Sequence, residues 1–190
     1  MKVKLKTKIA VIWVVACMMM FGSITAYAAY NSIGVNLVRQ AKSNWCWAAS
    51  LEMSATYLGY SSYDQWDIVK EVKGTSSNPY PNDQGSNSDY KAGMEYATDN
   101  DYTAARSSGT ISISSMNTEM NNQVPIIISL GTYSGSSRIS GHAVVVFSVD
   151  KDNNRFKVKD PASDYDTTYN YSTITSTSES TRWDYTTKIS

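Results

Sequence analysis

Apolar positions along the chain follow two different periods. From Trp45 to Leu58, the residues Ala48, Leu51, Ala55 and Leu58 recur at spacings of three and four. This predicts a helix with one apolar face, stopped by Gly59. Ser61-Ser62-Tyr63-Asp64 can cap a second helix that carries Trp66, Ile68, Val69 and Val72 and ends at Gly74. A third helix opens at Ser88-Asp89-Tyr90 with Met94 and Tyr96 on one side, and a short fourth covers Ser115 to Asn122. Between the second and third lies a polar stretch from Thr75 to Asn87 holding Pro79, Pro81 and Gly85. It is long for a connection inside a compact domain, which marks it as mobile or functional.

From Val124 onward the pattern is that of strands. Val124–Leu130 and His142–Val149 are short β-branched runs of the kind found in buried strands. Asp150–Asn154 is a turn cluster, and Arg155–Lys159 alternates as a return strand that Asp160-Pro161 ends. A last strand is expected near Thr167 to Ile174, followed by a tail of low apolar content. There is no internal repeat, heptad pattern or inter-domain linker. The expected class is α+β, a helical N-terminal half and a C-terminal antiparallel sheet with a cleft between them.

The N-terminus changes the picture of where this domain operates. Lys2, Lys4, Lys6 and Lys8 precede an uncharged apolar stretch from Ile9 to Phe21, and Ala26-Tyr27-Ala28 supplies small residues where a signal peptidase reads. This is a secretory pattern with cleavage expected after Ala28, giving a signal peptide at 1–28 and a domain at 29–190. The apolar stretch is short for a transmembrane helix, so no stable membrane association is expected after cleavage. A lesser alternative is lipid attachment at Cys17, because Val14-Val15-Ala16-Cys17 loosely fits a lipoprotein box. Without the four signal lysines, 13 basic residues face 17 acidic ones, a net of −4. No basic stripe remains to hold a nucleic acid.

Export also sharpens the cysteine count. Of two cysteines, Cys17 lies in the signal, so Cys46 would be alone, and an unpaired thiol outside the cell is a liability unless its reactivity is used. Cys46 begins the first helix, where unpaired amides and the helix dipole favour thiolate. His142, the sole histidine, is then the only general base available to it. Asp160 ends the strand that returns beside His142 and can fix its ring, whereas Asp150 and Asp152 lie at the far end of that hairpin. Gln40, six residues before Cys46, offers a side-chain amide to a developing oxyanion together with the backbone N–H of Cys46. One histidine and one cysteine do not make a usual zinc site, and no cofactor is expected.

Gln40, the run Asn44-Trp45-Cys46-Trp47-Ala48-Ala49-Ser50, Gly141-His142-Ala143-Val144 and Asp160-Pro161 together resemble a papain-like cysteine protease. The nearest patterns are short bacterial forms: secreted effector proteases and the double-glycine leader peptidases of peptide exporters. The resemblance spans about Gln40 to Asp160. It implies a papain-like fold, a peptide or protein substrate, and the roles nucleophile for Cys46, base and acid for His142, orienter for Asp160 and oxyanion donor for Gln40. Many relatives carry Asn in the third position and a long inhibitory propeptide. Here Asp160 stands in that position and only the segment 29–45 precedes Cys46, so control by a long propeptide is not expected. Trp47 and the 75–87 loop are read as lining the substrate groove. Two further readings share these residues: a cysteine amidase or acyl-transferase acting on cell-wall peptides, and a catalytically silent binding or toxin-associated module.

Overall fold

The computed structural model describes residues 30–190; the expected signal segment, with Cys17 and Ala28, lies outside them. Four main helices form from locally legible signals. They are α1 (Cys46–Tyr57), α2 (Gln65–Lys73), α3 (Asn87–Ala97) and α4 (Ile113–Asn121). Asp64 and Ser86 each build a capping box, with Asp67 and Asp89 returning the bond, and Ser112 caps α4 through Ser115 N–H. Gly59, at φ 102°, ends α1 with Tyr60 N–H on Ala55 O and its own N–H on Thr56 O. That pair of bonds is a Schellman cap, and its left-handed residue favours glycine.

The strands are β1 (Asn31–Ser32), β2 (Ala104–Ser108), β3 (Ile126–Ser134), β4 (Ser137–Asp150), β5 (Arg155–Lys159), β6 (Thr167–Asn170) and β7 (Thr181–Ile189). They make one antiparallel sheet ordered β2-β7-β3-β4-β5-β6, with β1 added to β4. The class is α+β as expected: helices first, antiparallel sheet second. Both α1 and α4 pack on β4. Its consecutive run Ala143–Val146 is buried, which requires cover on both faces and explains an unbroken apolar stretch in place of alternation.

Several expectations are corrected. The helix α1 is buried almost all round rather than on one face, because Ala48, Ala49, Ser50, Ser54 and Ala55 let α2, α3 and β4 approach it closely. Between the third and fourth helices, where no strand was expected, β2 forms at Ala104–Ser108 as an edge strand. The strand expected over 167–174 stops at Asn170, whose side chain accepts from Ser172 and Thr173 N–H and starts the short helix α5 (Tyr171–Ile174). The C-terminal tail is an internal strand, β7, paired on both sides. Its threonines suit a pleated strand, and Trp183 and Ile189 supply the buried apolar contacts.

Candidate active site

Cys46 is the first residue of α1 and is a free, half-buried thiol. The N-cap, Trp45, makes no side-chain cap, so the first-turn amides of α1 are left without the usual capping partner. The two tryptophans that flank Cys46 are anchors. Trp45 and Trp47 are almost wholly buried, and their indole N–H groups donate to Pro81 O (2.9 Å) and Asp83 O (3.1 Å). Lys42 Nζ donates to Tyr80 O, and Asn44 donates twice to Asn82, from its backbone N–H to Oδ1 and from Nδ2 to the carbonyl. The long 75–87 loop is therefore laced to the segment that carries the thiol.

Gly85 lies flat on Trp47, where a Cβ would come within 2.6 Å of the indole Cγ. Gly85→Ala is expected to push the loop off the ring and cost ~1–3 kcal/mol, read as a lower denaturation midpoint.

His142 lies inside β4 rather than at its start, because polar residues from Ser137 to Ser140 extend the β3–β4 hairpin before it. The β4–β5 pairing Val145↔Lys159 sets Asp160 alongside the stretch leading back to His142. There His142 Nε2 meets Asp160 Oδ1 at 2.5 Å, and Ala162 N–H donates to the same oxygen at 2.8 Å. Burial works against the charged imidazole, but the bond to Asp160 and the proximity of Cys46 outweigh it, lifting His142 to about 9. Burial likewise opposes the Asp160 carboxylate, yet its bonds to His142 and Ala162 hold it below the ordinary range. With Nε2 committed to Asp160, Nδ1 is the nitrogen left to face the sulfur. Contacts of this kind commonly tighten only with substrate in place.

Gln40 is placed differently from the other three. Its backbone N–H donates to Pro161 O at 3.0 Å, tying it to the Asp160 turn. Its side-chain Nε2 donates to Lys42 O and Ser43 O, while Oε1 is buried without a partner. In this orientation both amide hydrogens are already used. The flanking backbone is clamped by Gln65, which accepts from Ala41 N–H and donates to Arg39 O and to Glu52. The structure thus brings Cys46, His142 and Asp160 together and sets Gln40 beside them with its donors turned away.

The cleft between α1 and the sheet, a cavity of about 40 Å³, is lined by Cys46 and His142 and also by Trp47, Gln84 and Gly85. Residues that sequence reading did not single out complete it: Tyr90 from α3, Arg106 from β2, Ser129 from β3 and Arg138 from β4. Tyr90, Arg106 and Arg138 stand in polar or mixed sequence, which does not distinguish them from solvated positions. Among the described residues, no group of three or more His, Cys, Asp or Glu side chains could hold a metal ion. No described helix is long and apolar enough to cross a membrane.

This arrangement can be set against known proteins. The crystal structure of a "putative C39-like peptidase" from Bacillus anthracis superposes with a TM-score of 0.55 at 15% identity, over 83% of this chain and 96% of that one. At that identity the likeness speaks for the fold. No curated protein matches the chain. The model of the Peptidase_C39 like family matches residues 32–190, from the first strand through the helices, the cleft and the whole sheet. With its papain-like cysteine protease-type domain, the chain belongs to the Peptidase_C39 like family.

Proposed function

We propose that this protein is an exported bacterial cysteine peptidase that hydrolyses peptide bonds through an acyl-enzyme on Cys46. The observation that carries the reading is the juxtaposition at one end of α1. A thiol on the uncapped helix terminus shares a cleft with an imidazole whose far nitrogen is held by a carboxylate at 2.5 Å. That is the donor and acceptor order a thiol nucleophile needs.

In the proposed reaction the Cys46 sulfur, its proton held by His142, attacks the peptide carbonyl carbon. The carbonyl oxygen becomes an oxyanion facing the backbone N–H of Cys46. Gln40 adds a second donor once its amide swings away from the carbonyls of Lys42 and Ser43. His142 passes its proton to the departing amine as the C–N bond breaks, leaving a thioester. Water then gives a proton to His142, attacks the thioester and releases the new carboxylate, and the thiol pair is restored. Asp160 keeps the ring in register through both steps.

The test is a peptide library offered to the mature protein before and after iodoacetamide. The reading expects cleavage that alkylation removes and a metal chelator leaves in place; cleavage indifferent to alkylation would overturn it. Export is tested separately, by N-terminal sequencing of protein from the culture medium. A mature chain starting at Ala29 is expected, and a lipid-modified Cys17 would contradict it.

A further inference from the structure

Two guanidinium groups share the cleft with Cys46 and His142, and they differ in how they are neutralised. Arg138 folds back over Gly141, where a Cβ would sit within 2.1 Å of its Nη2 and would displace the guanidinium from this position. Its Nε donates to Asp184 Oδ2 at 2.5 Å, and Tyr133 Oη donates to the same oxygen at 3.0 Å. Arg138 therefore has its counter-charge.

Arg106 has none. Its Nη1 donates to Asn87 Oδ1 (2.6 Å) and its Nη2 to Ser129 Oγ (3.1 Å), both neutral. The guanidinium stacks 3.9 Å from the Tyr185 ring centroid and 5.1 Å from that of Tyr90. Its Nε is buried without a partner. None of the ion pairs among the described residues includes Arg106.

Taking a guanidinium out of water without an anion is costly, so a half-buried one held by neutral dipoles and ring faces is pre-organised for an anion. Nη1 and Nη2 each keep one N–H beyond these bonds, and a pair of guanidinium N–H groups suits a carboxylate, which accepts two bonds. The cavity of about 40 Å³ has room for about three waters, the size of a carboxylate on a short stem. Ser129 and Tyr90 add hydroxyl groups to the same wall.

We infer that the Arg106 side of the cleft is a specificity pocket for a substrate carboxylate carried within a residue or two of the scissile bond. This inference rests on the peptidase reading of the same cleft. The carboxylate is either an Asp or Glu side chain or the free C-terminus of a short peptide, and the two sources are separable by experiment.

The experiment compares kcat/KM for peptide pairs that differ only in Glu against Gln at each position around the cleavage site, and in free acid against amide at the C-terminus. One pair is expected to favour the acid roughly tenfold or more, the range of a charge-assisted bond. A side-chain pair identifies an acidic residue; the terminal pair identifies a chain end. Arg106→Gln should bring that ratio to within about threefold, and Arg106→Lys should restore part of it. Should the Arg106 variants fold poorly, the wild-type ratios still decide. Cleavage with no acid preference in any pair overturns the pocket and leaves the peptidase standing. Binding of the same pairs to the Cys46→Ala protein separates the remaining case. Acid-selective binding without any cleavage by wild type supports the pocket and overturns the peptidase.

Discussion

Cys46→Ala is expected to abolish the proposed peptide hydrolysis, lowering kcat/KM by about 10⁴-fold or more, or about 5 kcal/mol of transition-state stabilisation. The size follows from the part proposed for the sulfur, forming and breaking the covalent bond that divides one difficult step into two. No other thiol lines the cleft, whose polar side chains besides His142 are Gln84, Tyr90, Ser129 and two arginines. Ser129 pairs opposite Ala143 on the neighbouring strand, and its oxygen already accepts from Arg106. The loss should not come from unfolding. Cys46 is a half-buried first-turn residue with no disulfide, and Ala suits that position, so stability should stay within about 1 kcal/mol of wild type. Thermal melts beside the kinetics separate the two causes. An Ala variant that is folded and as active as wild type would remove the thiol from the chemistry.

The His142–Asp160 couple carries the second large effect, and its signature is a pH profile. His142→Gln is expected to lower kcat/KM by about 10³–10⁴-fold, since it removes the imidazole proposed to hold and pass the proton. Asp160→Asn is the finer instrument. Asn keeps an oxygen to accept from Nε2–H, so the ring stays oriented, but the charge that raises the imidazole is gone. The wild-type rate should fall on the alkaline side as His142 loses its proton near pH 9. In Asp160→Asn that limb should move at least about one unit toward the ordinary imidazole value near 6.5. Asp160→Ala, which also loses the acceptor, should cost about tenfold more in rate than Asn.

Stability follows the same couple with opposite signs on its two sides. His142 is raised on folding, so its contribution is full below about 6.5 and is lost as pH climbs toward about 9. Asp160 is lowered, so its contribution is present above the ordinary carboxylate range and fades as pH falls through its depressed value. The melting temperature is therefore expected to be highest in mildly acidic buffer. Asp160→Asn should flatten the alkaline decline, and an unchanged decline would separate the pair from stability.

Much of this molecule was legible where local chemistry decides the outcome. The cap at Asp64, the helix stop at Gly59 and the alternating return strand Arg155–Lys159 each rest on a few neighbouring residues, whereas the caps Ser86 and Ser112 start their helices ahead of the positions expected from sequence. The meeting of His142 with Asp160 was readable because a short hairpin links them. What was missed depends on pairing between distant segments. β7 sits between β2 and β3 although its sequence is mostly polar, because backbone bonds on both edges hold it. The start of β4 is hidden in Ser137–Ser140 for the same reason. Arg106 and Arg138 come to one cleft from β2 and β4, strands that do not pair and have β7 and β3 between them, with the Tyr185 ring of β7 as their shared partner. Gln40 was legible in position but not in orientation, which the carbonyls of Lys42 and Ser43 decide.

The central claim is that the peptide carbonyl is carried on Cys46. The most direct measurement is mass spectrometry of the protein quenched in acid during turnover of a good peptide substrate. The account predicts the Cys46-containing fragment carrying the mass of the N-terminal product less one water, absent in Cys46→Ala. Product accumulating with no such adduct, or with the acyl group on another residue, would contradict it.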